Sequence, residues 1–169
     1  MGFRLREDAE RWFSEIKDKA PFKSKWDMYY FCLMAGLATG RRNEPGSAGR
    51  SAPEFISYFI DDYKAAQRLI TGLLIVSELK RHGIDVSEKT EIQKLIKRIV
   101  DPHQSQTGLT DEGESLLNAY ASGGYEYLAE NRDAKPYSAE EFLRDYAAMI
   151  SNQLETTPFW TLGKSTGAN

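Results

Sequence analysis

This chain holds one cysteine, two histidines and no long apolar run. A single thiol, Cys32, excludes an intramolecular disulfide and fits a reducing compartment. Set inside FCLMAGLA, it reads as a small buried hydrophobe. The longest apolar stretches, 31–38 and 73–76, are too short to cross a bilayer. The opening MGFRLREDAERWF has no apolar signal region. A cytoplasmic setting without membrane contact is therefore expected. The chain also lacks a glycine-rich GK[ST] loop, CxxC, HExxH and GxSxG. His82 and His103 stand at no metal-ligand spacing, so no residue is assigned to a metal.

What is present is a set of helical periodicities in 169 residues, a length that suits one domain. Ala9, Trp12, Phe13 and Ile16 share one face of a helix over 6–20, which Pro21 ends. Ser24 caps a second helix, 24–39, apolar nearly all round and so central to the fold. Gly36 allows a neighbour to come close, and Gly40 stops the helix. Pro53 opens a third helix running to about 82, bent near Asp61–Tyr63. Ser87 caps a fourth, carrying Ile92, Leu95, Ile96 and Ile99. Leu109 and Thr110 open a fifth, which Gly123-Gly124 breaks or kinks. Ser138 and Glu141 form a capping box for the last. FRLR at the start reads as a short strand or arm. The fold class is all-α, six to seven helices packed as a globular bundle around the helix at 24–39. Residues 1–155 make the domain and 156–169 a mobile tail, whose Phe159 and Trp160 can dock on this chain or on a second copy.

Charge is unevenly spread. The net charge is −3, yet residues 1–50 carry 10 basic and 7 acidic residues, and 108–155 carry 3 and 10. A basic head suits contact with phosphate. The loop after the apolar helix, GRRNEPGSAGR, concentrates that charge. Arg41, Arg42 and Arg50 can fork onto phosphate oxygens. Asn43 adds donors, and Lys23 and Lys25 flank the other end of the helix. Glu44 is the candidate catalytic group, holding Mg²⁺ or Mn²⁺ or activating water. The competing reading has the arginines satisfying free helix carbonyls and Glu44 pairing with one of them. Lys80, Arg81, Lys89, Lys94, Lys97 and Arg98 make a second basic surface. The pair Asp61-Asp62 reads as a solvated bend.

The order of elements in FRLREDAERWFSEIKDKAPFKSKWDMYYFCLMAGLA resembles the small helical DNA-binding subunits of bacterial DNA phosphorothioation systems. An extended start leads to an amphipathic helix, a basic link, and a buried helix with an aspartate near its start, over about residues 3–38. The resemblance implies a DNA-binding accessory subunit that works beside other proteins of the same defence system. A functionally related branch nicks DNA. It implies backbone contact through Lys23, Lys25, Arg41 and Arg42. A homodimer would bring two basic loops to one duplex. The alternative from the residues is a non-catalytic helical protein–protein interaction module, its surplus aromatics Tyr58, Tyr125, Tyr127, Phe159 and Trp160 forming an exposed contact patch.

Overall fold

The computed structural model describes residues 1–104 and 106–156. Among them are seven α-helices and one two-stranded antiparallel sheet, the mainly helical bundle that the periodicities predict. The tail expected to be mobile, with Phe159 and Trp160, lies beyond the described residues. No helix among the described residues is long and apolar enough to cross a membrane.

Helix α2 (Lys25–Thr39) is the centre of the core. Asp27 at its third position accepts from the backbone N–H of Lys23 (2.8 Å) and Ser24 (2.7 Å) and from the Ser24 hydroxyl (3.0 Å). These bonds satisfy donors that the helix start would otherwise leave free. Trp26, Tyr29, Cys32, Leu33 and Leu37 are all buried. Gly40 ends the helix with φ of 72°, a left-handed turn that costs glycine little.

The principal neighbour of α2 is α6 (Asp111–Glu130), started by Thr110, whose hydroxyl accepts from the Gly113 N–H at 3.0 Å. Gly123 and Gly124 do not break this helix, contrary to expectation. Gly124 meets α2, and Gly123 meets the loop that follows it. A Cβ on Gly124 would stand 1.8 Å from the Cys32 carbonyl oxygen, and one on Gly36 would stand 2.0 Å from that of Tyr120. The helix accepts the propensity cost of glycine because tight packing returns it.

Two further expectations fail at elements that tertiary contacts shorten. The helix expected over 6–20 is α1 (Glu7–Trp12) alone. Beyond it, the N–H groups of Ser14, Ile16 and Lys19 bond three residues back rather than four. The tighter turns carry Phe13, Ile16 and Phe22 together into the core, where Phe13 and Phe22 lie 5.4 and 5.7 Å from Phe142. The helix expected from Pro53 to 82 begins later, as α3 (Asp61–Lys64) and α4 (Gln67–Arg81). Before it, β2 (Glu54–Ile56) pairs with β1 (Phe3–Arg4), Phe3 opposite Ile56 and Arg4 opposite Glu54. Pairing continues as Leu5 N–H donates to Pro53 O and Glu7 N–H to Ser51 O. The extended arm therefore claims the backbone of 51–56, while Phe3 packs on Trp26 (4.6 Å) and Phe59 (5.1 Å).

The remaining helices cover this pair. α5 (Lys89–Ile99) buries Leu95 and Ile99. Ser87 does not cap it; its hydroxyl donates to Asp85 at 2.6 Å instead. α7 (Ala139–Thr156) starts where the Glu141 N–H donates to Ser138 Oγ, and it crosses α2 with the Tyr146 hydroxyl on Phe31 O at 2.9 Å.

Candidate functional site

The loop after Gly40 runs along α6. Asn43 N–H donates to Ala119 O at 2.8 Å, and a Cβ on Gly123 would stand 2.6 Å from Arg41 O and Arg42 Cα. This contact directs the loop side chains toward carboxylates on α6 and α4. Arg41 makes a two-pronged pair with Glu130, at 2.5 and 3.1 Å. Arg42 pairs with Glu78 at 2.7 Å, and the Asn43 amide donates to Glu126. Arg50 reaches Glu126 at 3.0 Å. Arg6, itself buried, bonds Glu126 and Asp8, each at 2.7 Å. Four guanidinium groups thus face four carboxylates: Asp8, Glu78, Glu126 and Glu130. The positive loop of the sequence is locally neutral.

These pairs are not equally firm. Glu130 is exposed and Arg41 half-buried, so solvent screens this pair and it adds little to stability. The hydrogen bond from Arg41 still holds the Glu130 carboxyl below its ordinary value. Glu78 is different, with only 2% of its side chain exposed. It also takes the Tyr120 hydroxyl at 2.8 Å and lies 3.3 Å from His82 Nε2. Stripping one partner from a buried carboxylate costs about 3–5 kcal/mol, so Arg42 is committed to the fold. At Asp8, burial works to raise the carboxyl, but the Arg6 guanidinium outweighs it and the net direction is down.

Beside this network lies an open groove of about 520 Å³, lined by Arg4, Glu44, Pro45, Arg50, Ser51 and Ser115. It brings together two of the residues singled out in the sequence, Glu44 and Arg50, with Arg4, which sequence reasoning missed. Asn118 positions Arg4. Its buried amide oxygen accepts from Arg4 N–H (2.9 Å) and the Tyr29 hydroxyl (3.0 Å), and its nitrogen donates to Gly2 O. The Arg4 guanidinium donates to Ala52 O at 3.1 Å, and no carboxylate among the described residues lies within ion-pair distance of it. Glu44 is exposed on the groove wall.

The other expected residues lie elsewhere. Lys25 pairs with Glu10 at 2.9 Å, and Lys23 is exposed at the start of α2. The helix places both about 20 Å from Arg41. On the second basic surface, Lys94 pairs with Glu91 and Arg98 with Glu112, while Arg81 donates to Gly40 O at 3.1 Å. Asp61 and Asp62 are exposed, with Asp61 2.5 Å from Lys64. No group of three or more histidine, cysteine or acidic side chains among the described residues is placed to hold a metal ion. One sequence signal for the missed carboxylates exists: Glu126 and Glu130 are four apart and share a helix face.

No protein family, curated protein or solved structure matches this chain.

Proposed function

We propose that this chain is a DNA-contacting accessory subunit that holds backbone phosphate in the Arg4–Arg50 groove. The observation that carries the reading is the Arg4 guanidinium, partly buried, without a carboxylate partner among the described residues, and beside a groove that Arg50 also lines. Ser51 and Ser115 supply hydroxyls beside it. A guanidinium already neutralised gains little from phosphate, whereas an unpaired one gains a charge-assisted bond. The resemblance of residues 3–38 to DNA-binding subunits of phosphorothioation systems points the same way, with other proteins of such a system as partners. Arg4 is the primary phosphate contact on geometry; Arg50 and Arg41, each paired with a carboxylate, join it only by leaving those partners, and Arg42 and Asn43 brace the loop. Binding rather than cutting is the activity proposed, because among the described residues Glu44 has neither an orienting partner nor a neighbouring acid group that would share a metal.

The test is a duplex-binding titration across a salt series, with Arg4→Gln/Arg50→Gln beside the parent and thermal melts to confirm folding. Two phosphate contacts give a slope of log affinity on log salt of about −2. The double variant should bind at least tenfold more weakly and flatten that slope. Equal binding by the variant, or none by the parent at low salt, overturns the reading. Supercoiled plasmid with Mg²⁺, Mn²⁺ or EDTA runs alongside. Metal-dependent relaxation lost in Glu44→Gln would add a nicking step.

A second reading, a non-catalytic helical interaction module, is favoured by one feature. Among the described residues an apolar trough lies between α2, α4 and α7.

A further inference from the structure

Among the described residues the trough holds about 270 Å³ and is lined by Tyr30, Met34, Leu37, Leu73, Tyr146 and Ile150. No charged side chain lines it, and the Tyr146 hydroxyl is already spent on Phe31 O. Water there finds few partners, so an apolar group is the favoured content. A single helical turn, about 10 Å across and about 5.4 Å tall, exceeds the space. The trough is scaled to one alkyl chain rather than to a partner helix.

One end of the trough differs from the rest. Past Leu37 and Ser77 it meets a second hollow of about 220 Å³, bordered by Thr39, Lys80 and Arg81. No acidic side chain among the described residues borders that hollow. Ser77 stands where the two spaces meet and is 6% exposed. Thr39 and Thr71 turn their hydroxyls back onto carbonyls of their own helices, at 2.8 and 3.0 Å. The Ser77 hydroxyl makes no such bond and has no other partner among the described residues. It is left to whatever fills the space. Arg81 spends one N–H on Gly40 O at 3.1 Å, which leaves further donors on the same guanidinium.

One stripe of α4 therefore reads Leu73, Ser77, Arg81, in steps of four residues on a single helix face. It passes from apolar side chain to hydroxyl to cation over about 12 Å. An amphiphile with an anionic head matches that order. The carbonyl ends of α2 and α4 lie beside the hollow and oppose an anion, which makes the Arg81 guanidinium decisive for the head group.

We propose that the trough and the hollow together bind one medium-chain aliphatic monocarboxylate. Its alkyl chain lies along Met34, Leu73 and Ile150. Its carboxylate accepts from the Ser77 hydroxyl and the Arg81 guanidinium. The site is separate from the phosphate groove, which lies against β1 and α6, and does not depend on it.

The experiment is a calorimetric titration of the full chain with hexanoate, octanoate and decanoate below their aggregation range, with methyl NMR to locate them. Expected is one saturable site whose affinity rises about fourfold per added methylene. The methyls of Met34, Leu73 and Ile150 should shift together, and Arg4→Gln/Arg50→Gln should bind as the parent does. Ser77→Ala and Arg81→Gln should each weaken decanoate about fivefold. Decanol should bind the parent more weakly than decanoate, and Arg81→Gln should leave decanol unchanged. If Ser77→Ala does not fold, Arg81→Gln decides, because Arg81 is exposed. No saturable binding by the parent overturns the proposal. So do methyl shifts confined to other parts of the protein, or decanoate bound equally by the parent and the folded variants.

Discussion

Gly124 of α6 and Cys32 of α2 approach so closely that a single added carbon on the glycine would stand 1.8 Å from the cysteine carbonyl oxygen. Backbone meets backbone there, and no side chain can rotate away. The relationship sets the spacing of the two central helices. Through Gly123 it also sets the course of the arginine loop.

Gly124→Ala is therefore expected to destabilise the protein although alanine favours helices. The propensity gain is about 1 kcal/mol. Relieving the overlap needs the helices to part along a closely packed face, and overpacking typically costs about 1–3 kcal/mol, more where backbone must move. A net loss near 2 kcal/mol would lower the melting temperature by about 4–8 °C for a chain of this size. Thermal unfolding of the variant checks it, and Gly36→Ala should behave alike.

Arg42 and Arg41 are neighbours with different burdens. Arg42→Met leaves Glu78 buried with only Tyr120 and His82 as partners. A loss of about 2–4 kcal/mol is expected, reduced from the fully buried case by those two groups. Arg41→Met breaks a solvent-screened pair and should cost much less than Arg42→Met. Urea unfolding of both variants separates them. Adding Glu78→Gln to Arg42→Met should recover part of the loss, as a double-mutant cycle would show.

Glu114 gives a pH prediction. Its side chain is 2% exposed, with one oxygen on the Thr107 hydroxyl at 2.8 Å and the other without a hydrogen-bond partner. Burial raises its carboxyl above the ordinary 4.5. The folded state thus holds the proton more tightly than the unfolded state. Its contribution to stability is full below the unfolded value and lost as pH rises through the folded one. The stability difference between the parent and Glu114→Gln should therefore favour the parent more at pH 4 than at pH 7. Asp8, shifted in the opposite direction, cancels in that difference. Urea titrations at both pH values measure it.

Cys32 should be chemically silent. It is fully buried, and burial pushes its thiol well above the usual range, so little thiolate forms. A thiol reagent should label it no faster than the protein unfolds. Labelling at the rate of a free peptide would contradict the α2–α6 packing.

The parts legible in the sequence are those that local chemistry sets. Ser24, Asp27 and Gly40 bracket α2, and its apolar run between them has one reading. Thr110 opens α6 for the same kind of reason. The strand at Glu54–Ile56 was not legible, because three residues fit either period and only the arm at Phe3–Arg4 decides between them. The Gly123-Gly124 pair carries opposite meanings alone and against a partner helix. At the site, the sequence marked Arg41, Arg42 and Arg50 as cations but not their acids. Glu78 lies 36 positions from Arg42, and Glu126 lies 76 from Arg50.

By itself the sequence determined a helical chain with a central apolar helix, a cationic loop after it and an acidic C-terminal third. Those properties follow from hydrophobic period, capping chemistry and formal charge, which act over a few residues. Only the tertiary structure decided that Arg41, Arg42 and Arg50 meet carboxylates while Arg4, among the described residues, does not. A charge is neutralised by what lies within a few ångströms in space, and that is settled by how closely α2 and α6 pack.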